Sequence, residues 1–225
     1  HLGGGDAAAL GHLGEVGGEQ AGLYTAITLS ADDRPGIAFL AKVSQGGGIA
    51  TAEVRFATAS TATPASAGDW QTAVLDMMTL PAPDPENPDP YPLPQGIGLF
   101  IESARDSAGN PVVAYYDRDN GDLKVAKSNG TAFSAPQVMA GAGADSGWYP
   151  AVAVDPTGAL HVAYQGADHD DVFYKNSMAN TQELVDDGYR IVGTTPDGLP
   201  KPEYHFVGSD TQLILTGNGP LVIYQ

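Results

Sequence analysis

Apolar positions along the chain fall in short runs, some alternating with polar residues and some continuous, separated by clusters of Gly, Pro, Asp and Asn. None of these runs keeps a helical period over any length, so the pattern predicts strands throughout. Four segments align without gaps: YTAITLSADDRPGIAFL from Tyr24, FIESARDSAGNPVVAYY from Phe100, YPAVAVDPTGALHVAYQ from Tyr149 and SDTQLILTGNGPLVIYQ from Ser209. Each reads as strand, tight turn, strand. The turns centre on Asp32-Asp33, Ala108-Gly109, Thr157-Gly158 and Gly217-Asn218, residue types that tolerate turn geometry, and Phe39, Tyr115, Tyr164 and Tyr224 share one aligned position.

A third strand follows in three of the repeats as EVRFATA from Glu53, DLKVAKS from Asp122 and DVFYKNS from Asp171. A fourth follows as WQTAVLD from Trp70, FSAPQVMA from Phe133 and TQELVDD from Thr181. The last repeat supplies only its first two strands. A four-stranded antiparallel unit recurring at roughly fifty residues predicts radially stacked sheets, an all-β propeller with about three and a half blades in this chain. The expected blades are residues 22–76, 98–140, 147–187 and, incomplete, 208–225, with residues 1–21 as an N-terminal extension. Small residues at Ala26, Ala104, Ala151 and Ala153 suit the innermost strand, where blades converge. A β-sandwich is the alternative, but its strands need not repeat one aromatic and one turn at matched positions.

These units resemble those of bacterial secreted or surface propellers, distantly sialidase-like, whose repeat runs YPSIAVDSDGNPHVAYYD, then DLKYA, then W. Trp148 to Ser177, with WYPAVAVDPTGALHVAYQ and DVFYKNS, carries the resemblance best, followed by NPVVAYYDRDNGDLKVA from Asn110 to Ala126. Blade one departs from it, with AKVSQGGGIAT in place of a short hairpin, and so does blade four, where GNGP shortens the turn. The resemblance implies the propeller fold and a secreted or cell-surface location. It implies no chemistry, because propellers host many activities.

Composition narrows the partners. A formal net charge of −17 and a pI near 4.3 repel phosphate backbones, so nucleic acid is not an expected partner. The absence of cysteine removes disulfides, thiolate metal sites and a cysteine nucleophile. No apolar run reaches the ~20 residues of a membrane span. The chain opens on His1 rather than Met, as expected of a mature segment whose leader has been removed or of a piece of a longer polypeptide. Three and a half blades cannot close a ring, so the remaining blades are expected as a second fragment or chain.

In a four-stranded blade, the loops from strand two to three and from strand four to the next blade emerge on one face. The two long insertions, Met77 to Gly98 and Asp187 to Gly208, fall there, which makes that face the candidate binding surface. Trp148 and Tyr149 at a blade junction, with Tyr204 and His205 in the second insertion, are the expected ligand contacts, since aromatic rings stack on sugars and peptide side chains. Asp117, Asp119 and Asp122 outline a cation loop, although Asn120-Gly121 is also the pair a tight hairpin wants. No cofactor is expected, with calcium as the alternative. The hairpin holding Asp168, His169, Asp170 and Asp171 is similarly acidic.

Glu102 is charged where matched inner-strand positions hold Ala26, Ala151 and Thr211, which makes it, with Arg105, the candidate for catalysis. His161 reads as structural; His1 offers an α-amino group and an imidazole to copper with His12 as a weak second ligand, but a cut terminus explains His1 more simply. A sialidase activity is disfavoured by the missing SxDxGxxW box, with only Arg34, Arg55, Arg105, Arg118 and Arg190 available for a carboxylate clamp. The expected function is a binding propeller that recognises a glycan, peptide or protein. The alternatives are a hydrolase or lyase acting on extracellular polysaccharide, and a structural subunit of a surface assembly.

Overall fold

The apolar runs fold into three four-stranded antiparallel sheets in a computed structural model that describes residues 19–47, 49–82, 86, 94–141, 143–179 and 181–225. The first sheet is β1 (Glu19–Leu29), β2 (Pro35–Gly46), β3 (Ile49–Ala59) and β4 (Trp70–Leu80). The second is β5 (Ile97–Arg105), β6 (Pro111–Asp117), β7 (Asp122–Lys127) and β8 (Gln137–Ala140), and the third is β9 (Ser146–Val154), β10 (Leu160–Gly166), β11 (Asp171–Asn176) and β12 (Glu183–Asp186). Two hairpins follow, β13 (Tyr189–Thr194) with β14 (Pro200–Tyr204), and β15 (Gln212–Thr216) with β16 (Gly219–Ile223). Strand order in each sheet is sequential, and β1, β5, β9 and β15 pack one against the next. This is an all-β partial propeller whose inner strands are the first of each repeat.

The continuous apolar runs are explained by burial on both faces of a blade. Val113 and Tyr115 of β6 join Leu40, Val54 and Phe56 in the core between the first two blades. Their neighbours Val112 and Ala114 point the other way and join Val162 and Tyr164 in the next core. The turn between strands one and two is held by its first residue. Asp106 Oδ1 accepts the backbone N–H groups of Ala108 and Asn110, and Asp155 Oδ1 accepts those of Thr157 and Ala159. Asp33, Gly109 and Gly158 then take the left-handed conformation.

Four segments differ in detail from the expected strands. The segment AKVSQGGGIAT, standing in place of a short hairpin, lengthens β2 and β3 into strands of 12 and 11 residues. The insertion from Asp187 to Gly208 carries the β13–β14 hairpin, closed by a turn in which Leu199 O accepts from Thr195 N. In the last repeat Gln212, not Thr211, pairs where Ala151 and Glu102 pair in the earlier blades, because the two-residue turn between Thr216 and Gly219 is one residue shorter. The fourth-strand segment from Phe133 is also shorter than expected, with only Gln137–Ala140 in the sheet. Most of the first insertion, residues 83–85 and 87–93, and both His1 and His12 lie outside the described residues.

The outermost faces carry exposed apolar side chains: Ile27 and Leu29 on β1, and Ile214, Leu221 and Ile223 on the last hairpin. Among the described residues no helix is long and apolar enough to cross a membrane.

Candidate functional site

The inner strands β1, β5 and β9 each carry a bulge at the same place. Two residues, Tyr24-Thr25, Phe100-Ile101 or Tyr149-Pro150, oppose a single residue of the second strand where the register shifts. The first of the two is left-handed in every case, with φ of 48° at Tyr24, 53° at Phe100 and 45° at Tyr149. Asp210 takes the equivalent place in the last repeat at 51°. Bulky residues rarely adopt this conformation, and strain of this kind gathers at functional sites. Two residues earlier stands a glycine with positive φ, Gly22, Gly98, Gly147 or Gly208. At Gly147 a Cβ would meet Leu123 Cβ at 2.7 Å, so the inner strand approaches its neighbouring blade as closely as only glycine allows.

The three bulges and Asp210 converge. They line one cavity of about 230 Å³ with Glu102, Pro150 and Gln212 among its walls. It sits toward the start of the inner strands, the end fed by the long connections. Phe100 stands at its centre, with Tyr149 at a ring-centroid distance of 4.4 Å, Tyr24 at 5.5 Å and Trp148 at 5.9 Å. Tyr116 backs Trp148 at 5.9 Å and is itself fixed by donating to Asp145 Oδ1 at 2.7 Å. The Trp148 indole nitrogen is buried beside Tyr116.

Glu102 is the half-buried charge in this aromatic setting. Burial pushes its carboxyl above the usual range, and the Ser103 backbone N–H only partly opposes this. The Tyr24 phenol is raised by burial and then by the neighbouring Tyr149. Asp210 brings a second carboxylate to the cavity wall. The pattern Gly-x-aromatic, GLY at 22–24, GLF at 98–100 and GWY at 147–149, with GSD at 208–210, was the sequence signal for this site. Alignment from the aromatic onward passes over it.

The other candidates separate. Arg105 is on the opposite side of β5 from Glu102, because three residues along a strand reverses the face, and its guanidinium bonds Thr28 Oγ1 and Gly109 O instead. Trp148 and Tyr149 stay together at the channel. Tyr204 and His205 belong to the second insertion, where Tyr204 is 78% exposed and packs on Tyr189 at 5.4 Å.

Asp117 is buried, accepts from the backbone N–H groups of Asp119 and Asn120, and pairs with Lys124 Nζ at 2.6 Å. Asp119 caps the Gly96 N–H. Asp117 and Asp119 are thus engaged within the structure of the hairpin, and among the described residues no cluster of three metal-ligating side chains forms. His161 is buried, hydrogen-bonded to the Tyr174 hydroxyl at 2.6 Å and near Asp155, where it braces the turn.

No family model matches the chain, and no curated protein matches it. Among solved structures it is similar to a fucose lectin from Kordia zhangzhouensis in complex with methyl-fucoside, at 13% identity and a TM-score of 0.38, over 71% of this chain and 96% of that one. It is also similar to an exo-beta-1,3-galactanase from Phanerochaete chrysosporium with beta-1,3-galactotriose, at 15% identity and a TM-score of 0.37, over 72% of this chain and 35% of the galactanase. A structure from the GH130 family of mannoside phosphorylases, containing glycoside hydrolases that target beta-1,2 mannosidic linkages in Candida mannan, shares 17% identity at a TM-score of 0.43. That match spans 90% of this chain and 59% of the other.

Proposed function

We propose that the protein is an extracellular carbohydrate-binding propeller that holds a sugar ring in the cavity of the inner-strand bulges. The observation that supports this reading is the convergence of Tyr24, Phe100 and Tyr149, each in a strained conformation, on one cavity with Glu102. The apolar face of a sugar packs on such rings, and a desolvated carboxyl orients its hydroxyls by hydrogen bonds. The rigid blades position these groups. Titration calorimetry on the best ligand from a glycan array tests the reading. Phe100→Ala and Tyr149→Ala are expected to weaken binding about tenfold each, and Tyr204→Ala to leave it unchanged. Loss with Tyr204→Ala alone would move the site to the exposed hairpin, and no glycan bound at all would end the proposal.

A second reading, hydrolysis of a polysaccharide, is favoured by one observation, the presence of Asp210 beside Glu102 in the same cavity. A carboxyl with a raised pKa suits a general acid and a second carboxylate suits its partner. Release of reducing ends that Glu102→Gln abolishes while binding persists would replace the first reading with this one.

A further inference from the structure

A second concavity lies at the other end of the inner strands. The turn after β1, the turn after β5, strand β4 and the segment before β8 enclose a cleft of about 1150 Å³ between the first two blades. Arg34 and Arg105 both line it, with the rings of Phe56 and Phe133 at 5.5 Å and with polar side chains that include Thr58, Gln71 and Thr131.

Cations are scarce in this chain, ten against 27 acids, and most of them face carboxylates. Arg55 pairs with Glu19 and Glu53, Lys124 with Asp76 and Asp117, Lys127 with Asp106, and Arg190 with Asp186. Arg105 differs. Its Nε and Nη1 donate to neutral oxygens, Thr28 Oγ1 at 2.9 Å and Gly109 O at 2.7 Å, and no carboxylate among the described residues lies at ion-pair distance. Its Nη2 passes over Gly36, where a Cβ would stand at 2.9 Å, and donates to none of the described residues. Among the described residues Arg34 pairs only with the exposed Asp32, at 2.7 Å. Burial and then the charge of Arg34 press the Arg105 guanidinium below its ordinary value, with Asp32 partly compensating. The cleft therefore holds two guanidinium groups against one carboxylate, and an arriving anion relieves their repulsion.

We infer that this cleft binds an acidic saccharide, with a carboxylate of the hexuronic acid kind on Arg105 and Arg34 and its ring beside Phe133. The guanidinium fork matches a carboxylate, while hydroxyl and amide side chains beside an aromatic ring suit a sugar. A net charge of −17 repels long, densely charged polyanions, so the ligand is a short or sparsely charged chain rather than a nucleic acid.

Titration with trigalacturonic acid, with its neutral methyl ester as control, tests this independently of the channel site. The acid is expected to bind with a Kd of about 1 mM or below, more weakly at high salt, and the ester not to bind. Arg105→Gln and Arg34→Gln are each expected to weaken binding about tenfold, with Tyr149→Ala without effect. Arg34 is on an exposed turn, so its variant keeps the test valid if Arg105→Gln fails to fold. Absence of binding, equal binding of acid and ester, or binding indifferent to Arg34→Gln would overturn the inference. Loss with Tyr149→Ala instead would assign the ligand to the channel and likewise overturn it.

Discussion

Tyr115→Phe removes one hydroxyl from the middle of the molecule and tests how the blades are tied together. The Tyr115 ring is fully buried between the first two blades, and its hydroxyl donates to Asp76 Oδ2 of β4 at 2.6 Å. Burial, and next the Asp76 carboxylate, push the phenol far above its ordinary value, which favours the protonated, donating hydroxyl. Phenylalanine keeps the ring and its apolar contacts and loses only this charge-assisted bond. Such bonds contribute roughly 1.5–3 kcal/mol. Asp76 retains Lys124 Nζ at 3.4 Å and is one-fifth exposed, which places the cost at the lower end, about 1.5 kcal/mol. In a domain of this size that corresponds to a Tm decrease of about 3–6 °C. Urea unfolding followed by circular dichroism measures the change, and a double-mutant cycle with Asp76→Ala isolates the pair. Tyr164→Phe, which loses a bond to the neutral Gln182, is expected to cost less, about 1 kcal/mol. A change below about 0.3 kcal/mol for Tyr115→Phe, or no coupling in the cycle, would refute the tie.

Tyr149→Gly is expected to be more stable than Tyr149→Ala by about 1 kcal/mol, the reverse of the usual order in a strand, because only glycine relieves a φ of 45°; urea midpoints in which alanine wins would contradict the strain. Asp186 is held below the usual carboxylate range by Arg190 first and also by Tyr224 and the Gly188 N–H. Its stabilisation is thus complete above pH ~4 and drains away as pH falls toward its folded value. Asp186→Asn should lower the Tm at pH 7 and flatten the acid limb of a Tm-against-pH curve, and an unchanged limb would show that this carboxylate is not linked to folding. Chelator should leave the Tm unchanged, since Lys124 and backbone N–H groups already occupy Asp117; a drop that calcium restores would reverse that expectation.

Much of the architecture was legible in the residues. Strand and turn alternation from Tyr24, Phe100 and Tyr149 marked inner and second strands, and the acidic-then-apolar runs from Asp122 and Asp171 marked the third. These signals are local. Alternation, turn chemistry and β-branched content act within a few residues, so one blade can be read without the others. The aligned aromatics were visible too, but their purpose was not: Tyr115 and Tyr224 each donate to the last strand of the preceding blade, at Asp76 and Asp186.

The candidate site depended on relations the linear order does not hold. Glu102 and Arg105 look like neighbours in sequence, yet the alternation of a strand sends one to the channel cavity and the other to the opposite cleft. Asp210 shares the cavity with Glu102 only because a turn one residue shorter shifts the last inner strand and places aspartate where the other blades have an aromatic. The sequence by itself determined the strands, their order within a blade and the repeat. Which side chains share a cavity was decided by the stacking of the blades, because residues from four separate repeats meet only where their inner strands converge.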